Sequence, residues 1–448
     1  MDQTERFRSI LKPITQQFED AGAMRLFLKV LAPNDNSKNQ IYLGGNLAVL
    51  QALPFGEVVS DGSTGRSKER LKAPVPLHWI ASSGHLEQAK GAQLILYPQY
   101  PEVRLSGILS GCRQAPSDVF RVRDEGRLLL LGVDRKDRVL AIALEAKNPI
   151  AKAIAALSPE ATTGALTECS NLIASSRMTT IFEELSRIHQ LGWIDSRRLD
   201  RDGRSLECGA PQCVGYTLEA ELGVRPNSKS APDFDGWEVK AITVASLEKP
   251  SVHPVTLMTP EPDGGWYAEE GVVRFLRKFG YKDTKGRKGR INFSSPHHPK
   301  VQNDRTGLTL VVEGADHDVP ARFSAFGKLM LLDSTGLCAA SWSFAKLLEH
   351  WRTKHRQAVF VPAQRRKAAA PVSKDAFRYG RVVGVGQGTD FGCFLRAVHA
   401  GAVYYDPGIK LTKSDAGKEI TKRRSQFRIK CSALPELYHS YSWRKVSE

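Results

Sequence analysis

Thr217-Leu218-Glu219-Ala220-Glu221-Leu222-Gly223, followed after a Pro/Asn/Ser-rich turn by Ala231-Pro232-Asp233-Phe234-Asp235-Gly236-Trp237-Glu238-Val239-Lys240, is the stretch that decides how the second half of this chain folds. The first part reads as a helix carrying a carboxylate. The second reads as a short hairpin turning at Asp235-Gly236. On its second arm Trp237, Val239 and Ala241 alternate with Glu238, Lys240 and Ile242. A strand has a period of two, so Glu238 and Lys240 are expected on the same side of a sheet. Asp233 stands five residues before Glu238, across the turn, and returns to the same spot. Two acids and a lysine that converge in this way can hold a hard divalent cation and orient a water beside it, since magnesium needs only one or two protein carboxylates. A bare Asp/Glu/Lys triplet is also what a solvated sheet edge offers, so the surrounding residues must separate the two readings.

The run Leu218-Glu219…Leu222-Gly223…Ser228-Lys229…Pro232-Asp233-Phe234…Gly236-Trp237-Glu238-Val239-Lys240 resembles the catalytic core of the MvaI/BcnI restriction endonucleases and of the mismatch-repair nickase MutH. In that pattern a helix glutamate precedes the aspartate by fourteen residues, as Glu219 precedes Asp233 here. The resemblance implies an α/β nuclease domain of the PD-(D/E)xK type that hydrolyses DNA phosphodiesters with Mg2+, leaving 5′-phosphate and 3′-hydroxyl ends. It implies Asp233, Glu238 and the main-chain carbonyl of Val239 as metal ligands, and Lys240 as the group that orients the attacking water. Glu219 would serve a second metal site or position Lys240. It further implies a Type II site-specific enzyme that works as a monomer, a site of the form CC(A/T)GG, and a cognate DNA methyltransferase as genetic partner. The rival readings are a strand-specific nickase controlled by a partner, a DNA-binding protein without catalysis, and an RNA-processing nuclease.

Composition agrees with a nucleic-acid partner. The net charge is +16, and from residue 351 onward there are 20 Lys and Arg against 7 Asp and Glu, compared with 44 against 41 before it. A basic excess gathered in one segment is the footprint of a face that meets phosphates and releases their counterions. No apolar run approaches the length of a membrane span, and the N-terminus does not read as a signal peptide, so a cytoplasmic protein without membrane contact is expected. Seven dispersed cysteines (112, 169, 208, 213, 338, 393, 431) fit reduced thiols better than a disulfide framework.

At 448 residues two or three domains are expected. Residues 1–155 read as an all-β unit: a short N-terminal helix, then strand-like runs at Arg25–Leu31, Gln40–Leu43, Pro74–Ser82, Ala92–Tyr97, Val103–Leu109, Arg127–Val133 and Arg138–Ala146. Seven strands with little helix between them suggest a closed or nearly closed barrel. Phe27-Leu28-Lys29-Val30-Leu31-Ala32-Pro33-Asn34-Asp35, followed by Gln40-Ile41-Tyr42-Leu43, resembles the opening of the EcoRII-type effector domain, a B-three-like DNA-binding pseudobarrel. Together the two domains resemble in outline the UbaLAI-type architecture, in which a site bound by the first domain assists cleavage at another site. Arg66, Lys68, Arg70 and Lys72 in one turn-rich stretch, and Arg113, Arg121 and Arg123 in another, are the effector-domain DNA candidates. Residues 156–176, with Ser158-Pro159 and Thr162-Thr163-Gly164, read as a linker.

The remaining residues, 177–448, read as the catalytic and site-recognition domain. It opens on an amphipathic helix with Ile181, Leu185, Ile188 and Leu191 on one side, capped by Thr179 or Thr180. Ala340–Glu349 reads as another helix, and Gly384-Val385-Gly386-Gln387-Gly388 as a turn between strands rather than a phosphate loop, since it has no lysine. Lys229, Arg287, Lys288, Arg290 and Lys410 are candidate backbone contacts. In Lys422-Arg423-Arg424-Ser425-Gln426-Phe427-Arg428, the residues Arg423, Arg424, Gln426 and Arg428 have the side chains that read guanine and adenine in the major groove. His297-His298 and Asp316-His317-Asp318 suggest metal ligands but have no third partner at a recognisable spacing and are read as structural.

Overall fold

The computed structural model describes residues 3–37, 40–44, 49–50, 52–60, 70–97, 102–134, 136–157, 166–169, 177–210, 212–225, 233–247, 253–284, 286–287, 289–315, 323–368, 375–414 and 417–446. The chain divides into two compact units, Met1–Ser176 and Arg177–Glu448.

In the first unit every one of the seven expected runs contains a strand. The strands fall into two sheets. One has six strands in the order Thr167–Glu168, Ala23–Leu31, Arg127–Asp134, Val139–Leu144, Leu77–Ile80, Leu86–Gln88; the other has five, in the order Ile41–Gly44, Glu102–Ser106, Gln93–Tyr97, Leu71–Pro74, Val59–Ser60. The unit is mostly β but not all β. The helix Gln3–Asp20 buries Leu11, Ile14 and Phe18, and the helix Pro149–Leu157 buries Ala151 and Ile154, in one core with Leu26, Leu28, Leu128, Leu130 and Leu140 of the six-stranded sheet. Within the stretch 156–176, Thr167–Glu168 is a strand. Phe27 and Leu28 pair with Glu168 and Thr167, because the open edge of Ala23–Leu31 has backbone groups that need partners. The turn Asn34-Asp35-Asn36-Ser37 is pinned by the buried Asp35, which accepts from the amides of Ala32 (3.1 Å) and Tyr42 (2.7 Å) and pairs with the buried Lys29 at 3.1 Å.

The second unit is built on a sheet whose central strand is Gln357–Arg366. Glu238–Thr243 lies parallel to it, Val382–Gln387 and then Ser440–Lys445 follow antiparallel, and Ala376–Tyr379 extends its far end. One face of this sheet is apolar: Val239, Val359, Val361, Val383 and Val385 share a core with Trp237. Ile181, Leu185 and Ile188 of the helix Arg177–Gln190 and Cys213, Val214 and Leu218 of the helix Cys213–Glu221 cover it. Burial of this kind is worth roughly 1.5–3 kcal/mol for each large aliphatic side chain.

Four expectations are corrected here. Thr179 and Thr180 lie inside the first helix rather than capping it, since helical geometry begins at Arg177, and Leu191 is half exposed beyond its end. The expected helix at 340 starts later: Cys338–Ser343 is a strand in register with Lys328–Leu332, and the Ser343 hydroxyl accepts from the Lys346 amide to cap the helix Phe344–Lys354. Gly384 and Gly386 are not in a turn but inside the strand Val382–Gln387, where they keep its outer face free of side chains. Cys208 and Cys213 are not free thiols but a disulfide, because the tight start of the helix Cys213–Glu221 brings their Cα atoms to 5.8 Å. Among the described residues no helix is long and apolar enough to cross a membrane.

Candidate active site and nucleic-acid interface

The turn between the two arms of the hairpin forms as its residues dictate. Asp235 and Gly236 both take positive φ (47° and 86°), the conformation a two-residue type I′ turn requires, and Phe234 and Trp237 exchange both backbone hydrogen bonds at 3.0 and 2.7 Å. The turn returns the chain so that Asp233 Oδ2 accepts from the Val239 amide at 2.9 Å. Two residues on from Glu238 along the same face, Lys240 Nζ donates to Glu238 Oε1 at 2.8 Å; the Glu238 side chain is 4% exposed and that of Lys240 18%. Glu219 lies on the helix Cys213–Glu221, and its charge bears on both Asp233 and Lys240. That helix is anchored by Tyr379, whose hydroxyl donates to the Val214 carbonyl (2.8 Å), by an Arg197–Glu221 pair (2.6 Å), and by the Thr217 hydroxyl donating to the Arg197 carbonyl (3.1 Å).

The electrostatics follow from three carboxylates around one ammonium. Burial first, and then the Glu238 carboxylate, push the Asp233 carboxyl up to about 7. The Val239 amide and Lys240 pull it back, and Glu219 adds to the rise. Burial alone would lower the Lys240 pKa, but Glu238, Asp233 and Glu219 outweigh it and leave it raised, so the side chain stays an ammonium at neutral pH. Acids whose ionised form is disfavoured first by burial and then by each other's charge are relieved by a cation, and an all-oxygen donor set suits a hard one. The residues therefore fit a divalent metal of the magnesium class.

A second group, Asp390, Cys393 and His439, also brings ligand-type atoms together. Here Asp390 Oδ1 accepts from the Cys393 amide (2.7 Å) to cap the helix Phe391–His399, and the Arg396 guanidinium donates to Cys393 Sγ at 3.2 Å. A guanidinium beside the sulfur opposes a second cation, and the group is a helix cap. His297 is buried in stacking contact with Phe293 and shares a hydrogen bond with Thr306 Oγ1 (2.8 Å), while burial pushes its pKa down to about 4; His298 stacks on Tyr404. Asp316-His317-Asp318 lies outside the described residues.

The basic candidates separate by what already holds them. Lys410 lies directly across from Lys422 in the hairpin of Ile409–Lys413 and Glu419–Lys422, and across from Asn292 on its other side. Burial first, then Arg290, Lys422 and Arg287, lower its pKa. The basic loop and this hairpin, more than a hundred residues apart in sequence, thus form one positive patch. Like charges opposite one another in a ladder are destabilising, which a polyanion would relieve. Arg290 also pairs with Asp283 at 3.2 Å. Arg423 and Arg424 are exposed. Gln426 is buried, and the Arg428 guanidinium is spent on Asp406 (2.7 Å) and the Pro254 carbonyl (2.9 Å), so neither is presented to a groove. Lys229 and Lys288 lie outside the described residues, as do Arg66 and Lys68. In the first unit Arg70 and Lys72 are partly exposed, and Arg113, Arg121 and Arg123 are exposed. The Glu87 carboxylate fixes the loop of Arg113 by accepting from the amides of Arg113 and Gln114 at 2.7 Å each. Two features were missed from sequence: Lys422 as the partner that completes the patch, and the tyrosines that lie over the glycine strand.

A family model, the MvaI/BcnI restriction endonuclease family, matches residues 182–438. The solved structures that resemble the chain include two of MvaI. The restriction endonuclease MvaI–cognate DNA substrate complex is 16% identical with a TM-score of 0.44, covering 61% of this chain and 100% of that one. Restriction endonuclease MvaI in the absence of DNA is 17% identical with a TM-score of 0.34, covering 61% and 99%. No curated protein matches. The matched residues take in the acidic hairpin, the basic loop and the glycine strand, and none of the first unit.

Proposed function

The chain belongs to the MvaI/BcnI restriction endonuclease family, and from that premise we propose that it is a Type II restriction endonuclease that cuts double-stranded DNA with magnesium. The observation that carries the reading is the meeting of Asp233, Glu238 and Lys240 at one hairpin, tied by the Val239 amide and the Lys240–Glu238 pair. Asp233 and Glu238, with the Val239 carbonyl, would hold the metal, which when bound supplies a Lewis acid that polarises the phosphate and acidifies a water.

The side chains do the rest. Lys240, kept protonated by its acidic neighbours, orients the attacking water and stabilises the negative charge that grows on the non-bridging phosphate oxygens. Glu219, whose charge bears on both Asp233 and Lys240, positions that ammonium or serves a second metal. Water adds to phosphorus and gives up a proton, the bond to the 3′ oxygen breaks, and that oxygen takes up a proton, leaving 5′-phosphate and 3′-hydroxyl ends. Arg287, Arg290, Lys410 and Lys422 hold the phosphate backbone, while Arg423 and Arg424 are the candidates for guanine contacts. The first unit binds a second copy of the site through Arg70, Lys72, Arg113, Arg121 and Arg123 and so acts as effector in the UbaLAI-type manner, with CC(A/T)GG as target.

The test is cleavage of plasmids carrying no, one or two CC(A/T)GG sites in magnesium buffer, with the ends mapped. Discrete cuts at those sites, faster on the two-site plasmid, are expected. Cuts at another sequence would replace the target, equal rates would remove the effector role, and nicked circles without linear product would favour the nickase. Intact plasmid under every metal tried would overturn the enzyme.

A further inference from the structure

The sheet face that carries Glu238 and Lys240 has an open lane beside them. In register, Glu238 pairs with Ala358, Ala358 with Gly386, and Gly386 with Tyr441; one step along, Lys240 pairs with Phe360 and Phe360 with Gly384. Between Glu238 and the edge strand the lane therefore carries only a methyl and a hydrogen. The ring of Tyr438 fills it: a Cβ on Gly386 would meet that ring at 2.6 Å. Tyr438 is set there by its own neighbours, since the His439 amide donates to the Gly388 carbonyl at 2.6 Å, and its ring lies 6.1 Å from Phe360 and 6.2 Å from Tyr441.

Tyr438 is 6% exposed, and its hydroxyl has no hydrogen-bond partner among the described residues. The large majority of buried side-chain polar atoms in native proteins have a partner, protein or water. The group nearest in charge is the carboxylate of the catalytic strand: burial first, and then Glu238, hold the phenol well above its ordinary range. Tyr441 also has an unpartnered hydroxyl, but it lies over Gly384, and Glu238 has no part in its shift.

We propose that Tyr438 is a positioning residue of the active site, its hydroxyl donating to one ordered water that in turn donates to the Glu238 carboxylate and fixes its orientation for the metal. The inference rests on the nuclease reading above and adds a residue to it. Groups that orient a metal ligand change metal affinity or activity by about 10- to 100-fold when removed. A tyrosine that merely fills space would not move that affinity when only its hydroxyl is taken away.

The experiment is Tyr438→Phe in the full chain, with Tyr441→Phe beside it, read by the magnesium concentration for half-maximal cleavage and by the melting temperature without metal. Tyr438→Phe should raise the half-maximal magnesium by roughly 10- to 100-fold, with cleavage restored at high magnesium and the metal-free melting temperature lowered by no more than the few degrees that one lost hydrogen bond accounts for. Tyr441→Phe should leave the magnesium dependence alone. An unchanged magnesium dependence or an equal shift in Tyr441→Phe would each overturn the inference while leaving the nuclease reading intact. If the parent chain cuts no DNA, the nuclease reading fails, and direct Mn2+ titration of Tyr438→Phe against the parent decides the inference alone.

Discussion

Asp233 holds its proton to a pKa of about 7, because burial and the Glu238 carboxylate both disfavour its charge. An acid whose folded pKa lies above its ordinary 3.8 costs stability once the unfolded chain ionises. The penalty is absent below about pH 4, grows between about pH 4 and 7, and is constant above that, reaching at most about 4 kcal/mol. Asp233→Asn keeps an acceptor for the Val239 amide and never ionises. It should therefore raise the melting temperature of the metal-free protein, more at pH 8 than at pH 5, while nearly abolishing turnover through loss of a metal ligand. Thermal scans at the two pH values decide it: a gain that does not depend on pH would mean Asp233 is not held protonated. Added magnesium favours the ionised aspartate and should reverse the gain.

At the scale of elements, the helix Cys213–Glu221 matters because it presents Glu219 to the acidic hairpin. Its start is closed by the Cys208–Cys213 disulfide, and its flank is tied to Arg197 and Tyr379. A cross-link over so short a loop contributes about 2 kcal/mol in the chain-entropy account. Cys208→Ser, or a dithiol reductant acting on the parent, should lower the melting temperature by several degrees, and the reductant should do nothing further to Cys208→Ser. Equal melting of oxidised and reduced parent would show that the tertiary ties alone hold the helix. The glycine strand is the other element with a task. Valines on its inner face build the core, while hydrogens on its outer face leave room for the rings of Tyr438 over Gly386 and Tyr441 over Gly384.

Over the whole molecule, the basic excess from residue 351 onward includes Lys410 and Lys422, which the second unit brings together with Arg287 and Arg290 in one patch. Each lysine that meets a phosphate adds about 0.9 to the slope of log affinity against log salt. Lys410→Ala and Lys422→Ala should each flatten that slope by about 1 and weaken all DNA sequences alike, measured by binding isotherms at several salt concentrations. A loss confined to one sequence would instead make the residue a base reader.

Much of this was legible in the chain alone. The period-two alternation around Glu238, the Asp235-Gly236 turn and the helix bearing Glu219 are set by neighbours within a few residues, and the family resemblance rested on that same stretch. All seven strand runs of the first unit were likewise local signals. Other features needed the folded chain. Gly384 and Gly386 look like a turn until Phe360 and Ala358 pair with them; Arg428 looks free until Asp406 and Pro254 take its guanidinium; Cys208 and Cys213 look like spaced thiols until the helix start brings them together. The lane that runs from Glu238 through Ala358 and Gly386 to Tyr441, with the Tyr438 ring over Gly386, joins residues across four strands. Local periodicity states which way a side chain faces along its own strand. Which strand lies next to it is chosen by packing across the whole unit, and that choice is what completed the site.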